Sequence, residues 1–488
     1  MRKRLATWAA GLVQRIEHER IPLKPTSEQE AVLTSDAHVR IVQAFAGTGK
    51  TTTLRMLADR MRGKRVLYLA FTKANQLDAE KKFGPGVKCL TTHALAMPIT
   101  GRAYRAKLTG NLQIKSIIDA LRMPTDYLLA SEIRRVLLAY LVSDARHIED
   151  IVPLGMRGDA TVTGAQRVWD IMQDPSNATV GMLHDGYLKL FQLRNPALPY
   201  DHILFDEAQD TNPVTAAIVA GQPCSKTYVG DEHQQIYQFR GARNAMRDVQ
   251  GQRLKLTQSW RFGGLIADVA NRVLGEKGET SRVIGMNGQG EIGPVDVSLP
   301  HTAICRTNAG IFEQAVAAAV NGECIHFVGG VENYKFDRIE DSWRLKNREV
   351  SAIRDSSIRN FGTFAEMARC AEESNDVELK GLIRIVEEYS FEIPRLTEQI
   401  KACATDASRS NLTLVTGHKC KGLEFDQVRL ADDFLDIATY KDLIEEGKST
   451  KDELECEINL VYVAATRALR RLEPNASLQA VIENAELA

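Results

Sequence analysis

The chain has 488 residues, 44% apolar and 26% charged, with a formal net charge of −1. That balance describes a soluble globular protein of about two to four domains and excludes a global basic field, so any nucleic-acid contact must come from local patches. Eight cysteines without a Cys-x-x-Cys pair argue against zinc ribbons and a disulfide framework and suit a cytoplasmic protein with reduced thiols; no apolar run approaches a membrane span.

In chain order, Leu5, Trp8, Leu12 and Ile16 share one helical face and predict an amphipathic first helix. Thr26-Ser27-Glu28-Gln29 is a capping box that opens the next helix. The apolar run Val39 to Val42 predicts a strand that ends in Ala44-Phe45-Ala46-Gly47-Thr48-Gly49-Lys50-Thr51-Thr52. A strand followed by a small-residue loop, Lys-Thr and a helix is a phosphate cradle. Backbone N–H groups of the loop from Ala46 to Thr52 point at nucleotide phosphates, Lys50 reaches the β and γ oxygens, and Thr51 is placed to hold Mg²⁺. The helix that follows turns its N-terminal dipole toward the same charge. Ala44 stands where the general pattern has Gly, which leaves Gly47 and Gly49 to supply the unusual backbone angles.

Between Ala94 and Leu198 the pattern is helical, with runs at Ile114 to Leu121, Ala130 to Val142 and Val168 to Gln173. Its basic stretch (Arg102, Arg105, Lys107, Lys115, Arg122) can face a phosphate backbone. Tyr200 to Phe205 is then a short apolar strand ending in Asp206-Glu207-Ala208-Gln209-Asp210. Asp206 can bind the same Mg²⁺ as Thr51, and Glu207 can polarise an attacking water. Thr302 to Asn308 and Ile325 to Gly329 predict strands of a second sheet, and 331–403 reads as a small helical insertion. The acidic stretch 432–457 predicts a solvated face. The chain ends shortly after Arg467, an expectation of a stripped motor without an appended nuclease.

Six blocks occur in a diagnostic order. They are the phosphate loop, Asp206 to Asp210, Val229-Gly230-Asp231-Glu232-His233-Gln234-Gln235-Ile236-Tyr237-Gln238-Phe239-Arg240-Gly241-Ala242, Leu256-Thr257-Gln258-Ser259-Trp260-Arg261-Phe262, Val415-Thr416-Gly417-His418-Lys419-Cys420-Lys421-Gly422-Leu423-Glu424-Phe425 and Val461 to Ala468. In this arrangement the chain resembles the UvrD/Rep-type superfamily 1A DNA helicases, and its wording is most similar to the F-box DNA helicase branch, with no F-box in view. The resemblance implies an α/β fold: two RecA-like parallel-sheet motor domains of the P-loop NTPase class with helical insertions, the second small. The expected division is 1–95 with 196–258, an insertion at 96–195, then 259–330 with 404–488 and a reduced insertion at 331–403.

By resemblance, Gln29 reads adenine, beside its capping role. Trp260 stacks on adenine, where a core Trp is the plainer alternative. Glu424 holds the ribose, Gln234 senses the γ-phosphate, and Arg261 and Arg467 come from the second domain. A planar, permanently charged guanidinium suits forked contacts to phosphate oxygens. Phe71, Tyr237 and Phe239 fall at base-stacking positions, while Thr72, Thr91, His93, Arg240, Thr416 and His418 match backbone-contact positions. Together these imply an ATP- and Mg²⁺-dependent 3′–5′ translocase or helicase on single-stranded DNA, with RNA left open. Alternatives are a DNA-stimulated ATPase that strips proteins such as a recombinase, and a helicase subunit working with a partner nuclease.

Overall fold

The computed structural model describes residues 24–123, 126–152, 159–237, 244–373, 376–434 and 436–484. The expected first amphipathic helix, Phe239 and Arg240 lie outside them. Two six-stranded parallel sheets organise the chain. The first is built from β1 (Val39–Ala44), β2 (Val66–Ala70), β3 (Val87–Thr91), β4 (His202–Phe205), β5 (Ser225–Gly230) and β6 (Gln252–Leu256), in the order β3-β2-β4-β5-β1-β6. Every residue of β2 and β4 is buried, the continuous apolar run of strands covered on both faces.

The second sheet contains β7 (Glu291–Ile292), β8 (His301–Cys305), β9 (Ile325–Phe327), β10 (Leu412–Thr416), β11 (Phe425–Leu430) and β12 (Ala468–Glu473), ordered β7-β12-β11-β8-β10-β9. The α/β class with two parallel sheets is therefore present. Parallel strands need crossovers, and these are helices such as Lys50–Arg60, Lys73–Lys82 and Asn308–Val320.

Residues between β3 and β4 are mainly helical, including Ile114–Leu121, Tyr127–Val142, Ala160–Gln173 and His184–Arg194. Their core residues Ile133, Leu137, Trp169 and Met172 join Leu67, Leu69, Ile203 and Phe205 of the sheet in one apolar cluster. Gly164 permits the close approach: a Cβ there would lie 2.4 Å from Ile133 Cδ1. Between β9 and β10 the chain forms a helical set, Asp337–Lys346, Phe364–Glu373, Val377–Tyr389 and Ile393–Cys403, which packs on Phe312 and Ala315.

Two charge readings from the sequence hold for most of their residues and fail for a few. Arg102, Arg105, Lys115 and Arg122 of the basic stretch are exposed. The acidic stretch is solvated in part: Asp432, Glu445, Glu446, Asp452 and Glu453 are exposed, while Asp433 and Glu457 turn inward. Glu457 makes a forked pair with Arg306 at 2.7 and 2.9 Å, and Asp433 accepts the N–H groups of Arg306 and Thr307, each at 2.8 Å. Lys107, from the basic stretch, donates to the carbonyls of Ile171, Asp174 and Asn177 and so anchors a loop. Charge counts along the chain do not reveal which ions a fold turns inward.

Leu137 is fully buried in the shared cluster. Leu137→Ala should cost about 2–5 kcal/mol. Calorimetry should show the first-sheet transition moving with it; a sheet transition left in place would separate the insertion's core from the sheet's.

Candidate nucleotide site between the two sheets

Adjacent strands β4, β5 and β1 end at the same edge of the first sheet and deliver Asp206 to Asp210, Asp231 to Gln234 and the phosphate loop. Outside the carboxyl ends of parallel strands is where such sheets open a crevice. Here a cavity of about 430 Å³ is lined by Gly47 through Thr52, Glu207, Asp210 and Gln234 on one side. Arg261, Lys421, Gly422, Glu424 and Arg467 line the other.

The loop's geometry follows from its glycines. Gly47 and Gly49 have φ of +74° and +78°, a region that costs other residues about 1–2 kcal/mol. Gly47 also has no room for a side chain, since a Cβ would lie 2.5 Å from both Arg261 Cβ and Ser259 Oγ. The Trp260 N–H donates to the Gly47 carbonyl at 2.9 Å. The Ala46 N–H donates to the Tyr462 hydroxyl at 2.9 Å, and that hydroxyl donates to Asp231 at 3.3 Å. Thr48 is buried and donates to the Phe45 carbonyl at 2.8 Å.

Three carboxylates crowd the acidic side. Asp206 is buried, accepts from the Tyr68 hydroxyl at 2.6 Å and the Glu207 N–H at 2.9 Å, and does not itself line the cavity. Burial and the Glu207 charge raise its pKa. Burial works against the Glu207 carboxylate too, but Lys50, Lys421, a hydrogen bond from Gln209 and Arg467 outweigh it and hold its pKa low. Glu207 therefore stays an anion able to accept a proton. Its φ of +51° is left-handed, strain held in place by Gln209, which donates to it at 2.6 Å. Burial pushes Asp210 up to about 6 despite its ion pair with Lys421.

On the far wall, Arg261 pairs with Glu424 at 2.7 Å. Arg467 is almost wholly buried, donating to the carbonyls of Val463 and Leu423 at 2.8 and 3.3 Å. Burial, with the Arg261 charge beside it, pulls its pKa down to about 10. Gln234 donates to Asp231 at 2.6 Å, and its carbonyl accepts from Lys421 at 2.6 Å.

Comparison with known proteins matches this arrangement. A family model described as an AAA domain covers residues 28–240, and one described as a UvrD-like helicase C-terminal domain covers 320–473. The chain belongs to the UvrD-like superfamily 1 helicases. It is 32% identical to F-box DNA helicase 1 of Gallus gallus over 94% of this chain and 49% of that protein. It is 30% identical to F-box DNA helicase protein 1 of Schizosaccharomyces pombe over 92% of this chain and 57% of that one. The chain thus spans about half the length of these curated relatives. The solved structure titled "The structure of PRRSV helicase" aligns over 93% of this chain and 55% of its own, at 13% identity and a TM-score of 0.33.

The remaining positions singled out from the UvrD-like motifs divide between the cavity and the scaffold. Thr51 and Thr52 line the cavity, whereas Gln29 is buried with both side-chain ends engaged: its oxygen caps Thr26 and its nitrogen donates to Thr53 at 3.1 Å. Trp260 is 53% exposed, which removes the core alternative. Phe71, Thr72 and Tyr237 also line this cavity. Thr72 and Thr91 cap the helices Lys73–Lys82 and Thr92–Ala96. His93 contacts Asp185 at 3.2 Å, and Thr416 is buried at the end of β10. The Tyr237 hydroxyl donates to the His418 carbonyl at 3.1 Å, while the Lys421 ammonium sits 5.3 Å from the Tyr237 ring centre.

Asp210, Gln209, Lys421 and Tyr462 lie inside the motifs and Tyr68 lies near one, and the sequence pattern marks no role for any of them. Their significance depends on which strands become neighbours, and a one-dimensional pattern does not carry that.

Gly47→Ala should destabilise the folded chain by about 2–4 kcal/mol, combining left-handed strain with overpacking against Arg261; thermal denaturation measures it. Asp210 has a pKa near 6 folded against 3.8 ordinarily, so its contribution to stability is greatest below the lower value and is lost as pH rises through the upper. Asp210→Asn, neutral throughout, should therefore gain stability relative to the parent as pH rises from about 4 to about 7. A constant difference in melting temperature across that range would contradict the burial effect.

Proposed function

We propose that this chain is an ATP-dependent DNA motor that moves 3′ to 5′ along single-stranded DNA and separates duplex ahead of it. The single observation that supports an ATP-driven motor is the cavity where the phosphate loop and Glu207 face Arg261, Lys421 and Arg467 of the other sheet, while the polarity rests on the resemblance to the UvrD/Rep-type helicases. The proposed domains are 1–95 with 196–258 and 259–330 with 404–488, carrying insertions at 96–195 and 331–403.

The residues fit a nucleoside triphosphate with Mg²⁺. The loop brings a lysine and a helix N-terminus to a cavity that also holds carboxylates, the hard oxygen donors Mg²⁺ prefers. Thr51 and Asp206 would hold the ion, which supplies neutralisation of phosphate charge. Lys50 binds the terminal phosphates. Glu207, kept anionic by its cationic neighbours, takes a proton from the attacking water. Arg261 and Arg467 offset charge on the departing phosphoryl group, so turnover requires both domains to close on the nucleotide. Gln234 reports the phosphate through Asp231, and Tyr462 connects that carboxylate to the loop. Trp260 gives the adenine an exposed aromatic face, with Gln29 beside Gly49. Phe71 and Tyr237, set on the rim of the same cavity, pass nucleotide state to the bases they stack.

Lys50→Ala and Glu207→Gln should each lower DNA-stimulated ATP hydrolysis at least 10²-fold while leaving the fold intact. Turnover retained in either removes that residue's role. Strand displacement should occur on a 3′-tailed duplex and not on a 5′-tailed one. Stimulated hydrolysis with displacement on neither tail would instead support protein stripping without unwinding.

A further inference from the structure

Behind the nucleotide cavity, the short turn Glu232–Gln234 meets a segment that follows the helix Gly264–Gly275. His233 is 3% exposed and stacks on Phe45 of the phosphate loop, ring centres 5.2 Å apart. Neither of its ring nitrogens has a well-aligned hydrogen-bond partner, an expensive state for a buried imidazole. Its Nε2 nevertheless lies 3.2 Å from the Glu279 carboxylate. Glu232, Glu279 and His233 each present one ligand atom, all within 4.8 Å of one another.

We propose that Glu232, His233 and Glu279 form a divalent transition-metal site, best matched to Zn²⁺, that ties the first motor sheet to the second.

Three considerations support this. First, ligands around a tetrahedral ion with bonds of about 2.0 Å lie about 3.3 Å apart, close to the His233–Glu279 separation. That separation is also an ion-pair distance, and it leaves Nδ1 of the buried ring without a partner. Second, one imidazole with two carboxylates is a borderline donor set that favours Zn²⁺ over Mg²⁺. Third, outer partners already orient the carboxylates: Gln43 contacts Glu232, and the Ser281 N–H donates to Glu279 at 2.6 Å. Lys277, whose charge also acts on Glu232, donates to Asn459 at 2.6 Å and faces Glu455. Glu232 and His233 precede Gln234 directly, so an ion here would hold the turn that carries the cavity's glutamine against the second domain.

Nucleotide-free full-length chain, stripped with chelator, is titrated with Zn²⁺ by calorimetry and followed by thermal melting. One equivalent should bind in the micromolar range or tighter and raise the melting temperature by several degrees. The same should hold in Asp206→Asn, which alters only the carboxylate assigned to Mg²⁺. Glu279→Gln should lose at least tenfold in affinity and lose the melting shift. Glu232→Gln, at a partly exposed position, provides the same reading if the first variant does not fold. Co²⁺ should bind without a thiolate charge-transfer band, since no cysteine belongs to the set. Absence of binding to the parent, a thiolate band, or undiminished binding in the Glu279 and Glu232 variants would overturn the site.

Discussion

The seam between the phosphate loop and the second sheet is the constraint on which the rest depends. Gly47 accepts a hydrogen bond from the backbone of Trp260 and has no space for a Cβ beside Arg261. Ala46 donates to Tyr462, and Phe45 packs in the apolar cluster of the second sheet with Phe262 and Ile266. The loop that faces the cavity is therefore also the loop that touches the opposite domain. A change in its shape moves both walls, because packed interfaces shift between discrete arrangements and do not deform smoothly.

Electrostatics reinforces that coupling. Asp206, Glu207 and Asp210 occur within five consecutive residues and share a buried corner, where charge repulsion and desolvation oppose ionisation. Glu207 escapes this because cations arrive from both sides: Lys50 from its own sheet, Lys421 and Arg467 from the other. Its protonation state therefore depends on the two domains being together. Separation of the sheets would remove two of the three cations and make the carboxylate a different acid.

Legibility in the sequence varied with the range of the interaction. Local features read well. The loop at Gly47–Thr51, the apolar strand before Asp206 and the helical run at Ile114–Leu121 each follow from short-range rules about backbone angles, strand burial and periodicity. Polar residues with two possible uses read less well. Thr72 and Thr91 fit backbone-contact positions, yet each caps a helix, because a hydroxyl beside a helix start is drawn to the orphan N–H groups there. Charge runs read only in part. Within the stretch from 432 to 457, Glu457 and Glu455 pair with Arg306, Arg247 and Lys277, which lie far from it in the chain, while Asp432, Glu445, Glu446, Asp452 and Glu453 stay exposed.

By itself, then, the sequence determined the parallel α/β class, the phosphate loop and the carboxylates after β4, since strand burial, left-handed glycines and a helix start are encoded by neighbouring residues. Tertiary structure decided the rest. It set Lys421 on Asp210, Tyr462 on Ala46, Arg306 on Glu457 and His233 against Glu279, pairings between residues 46 to 416 positions apart. Such contacts depend on strand order and on how two sheets meet. Burial then assigns their energetic weight, because a charge or imidazole out of water must find its partner within the fold.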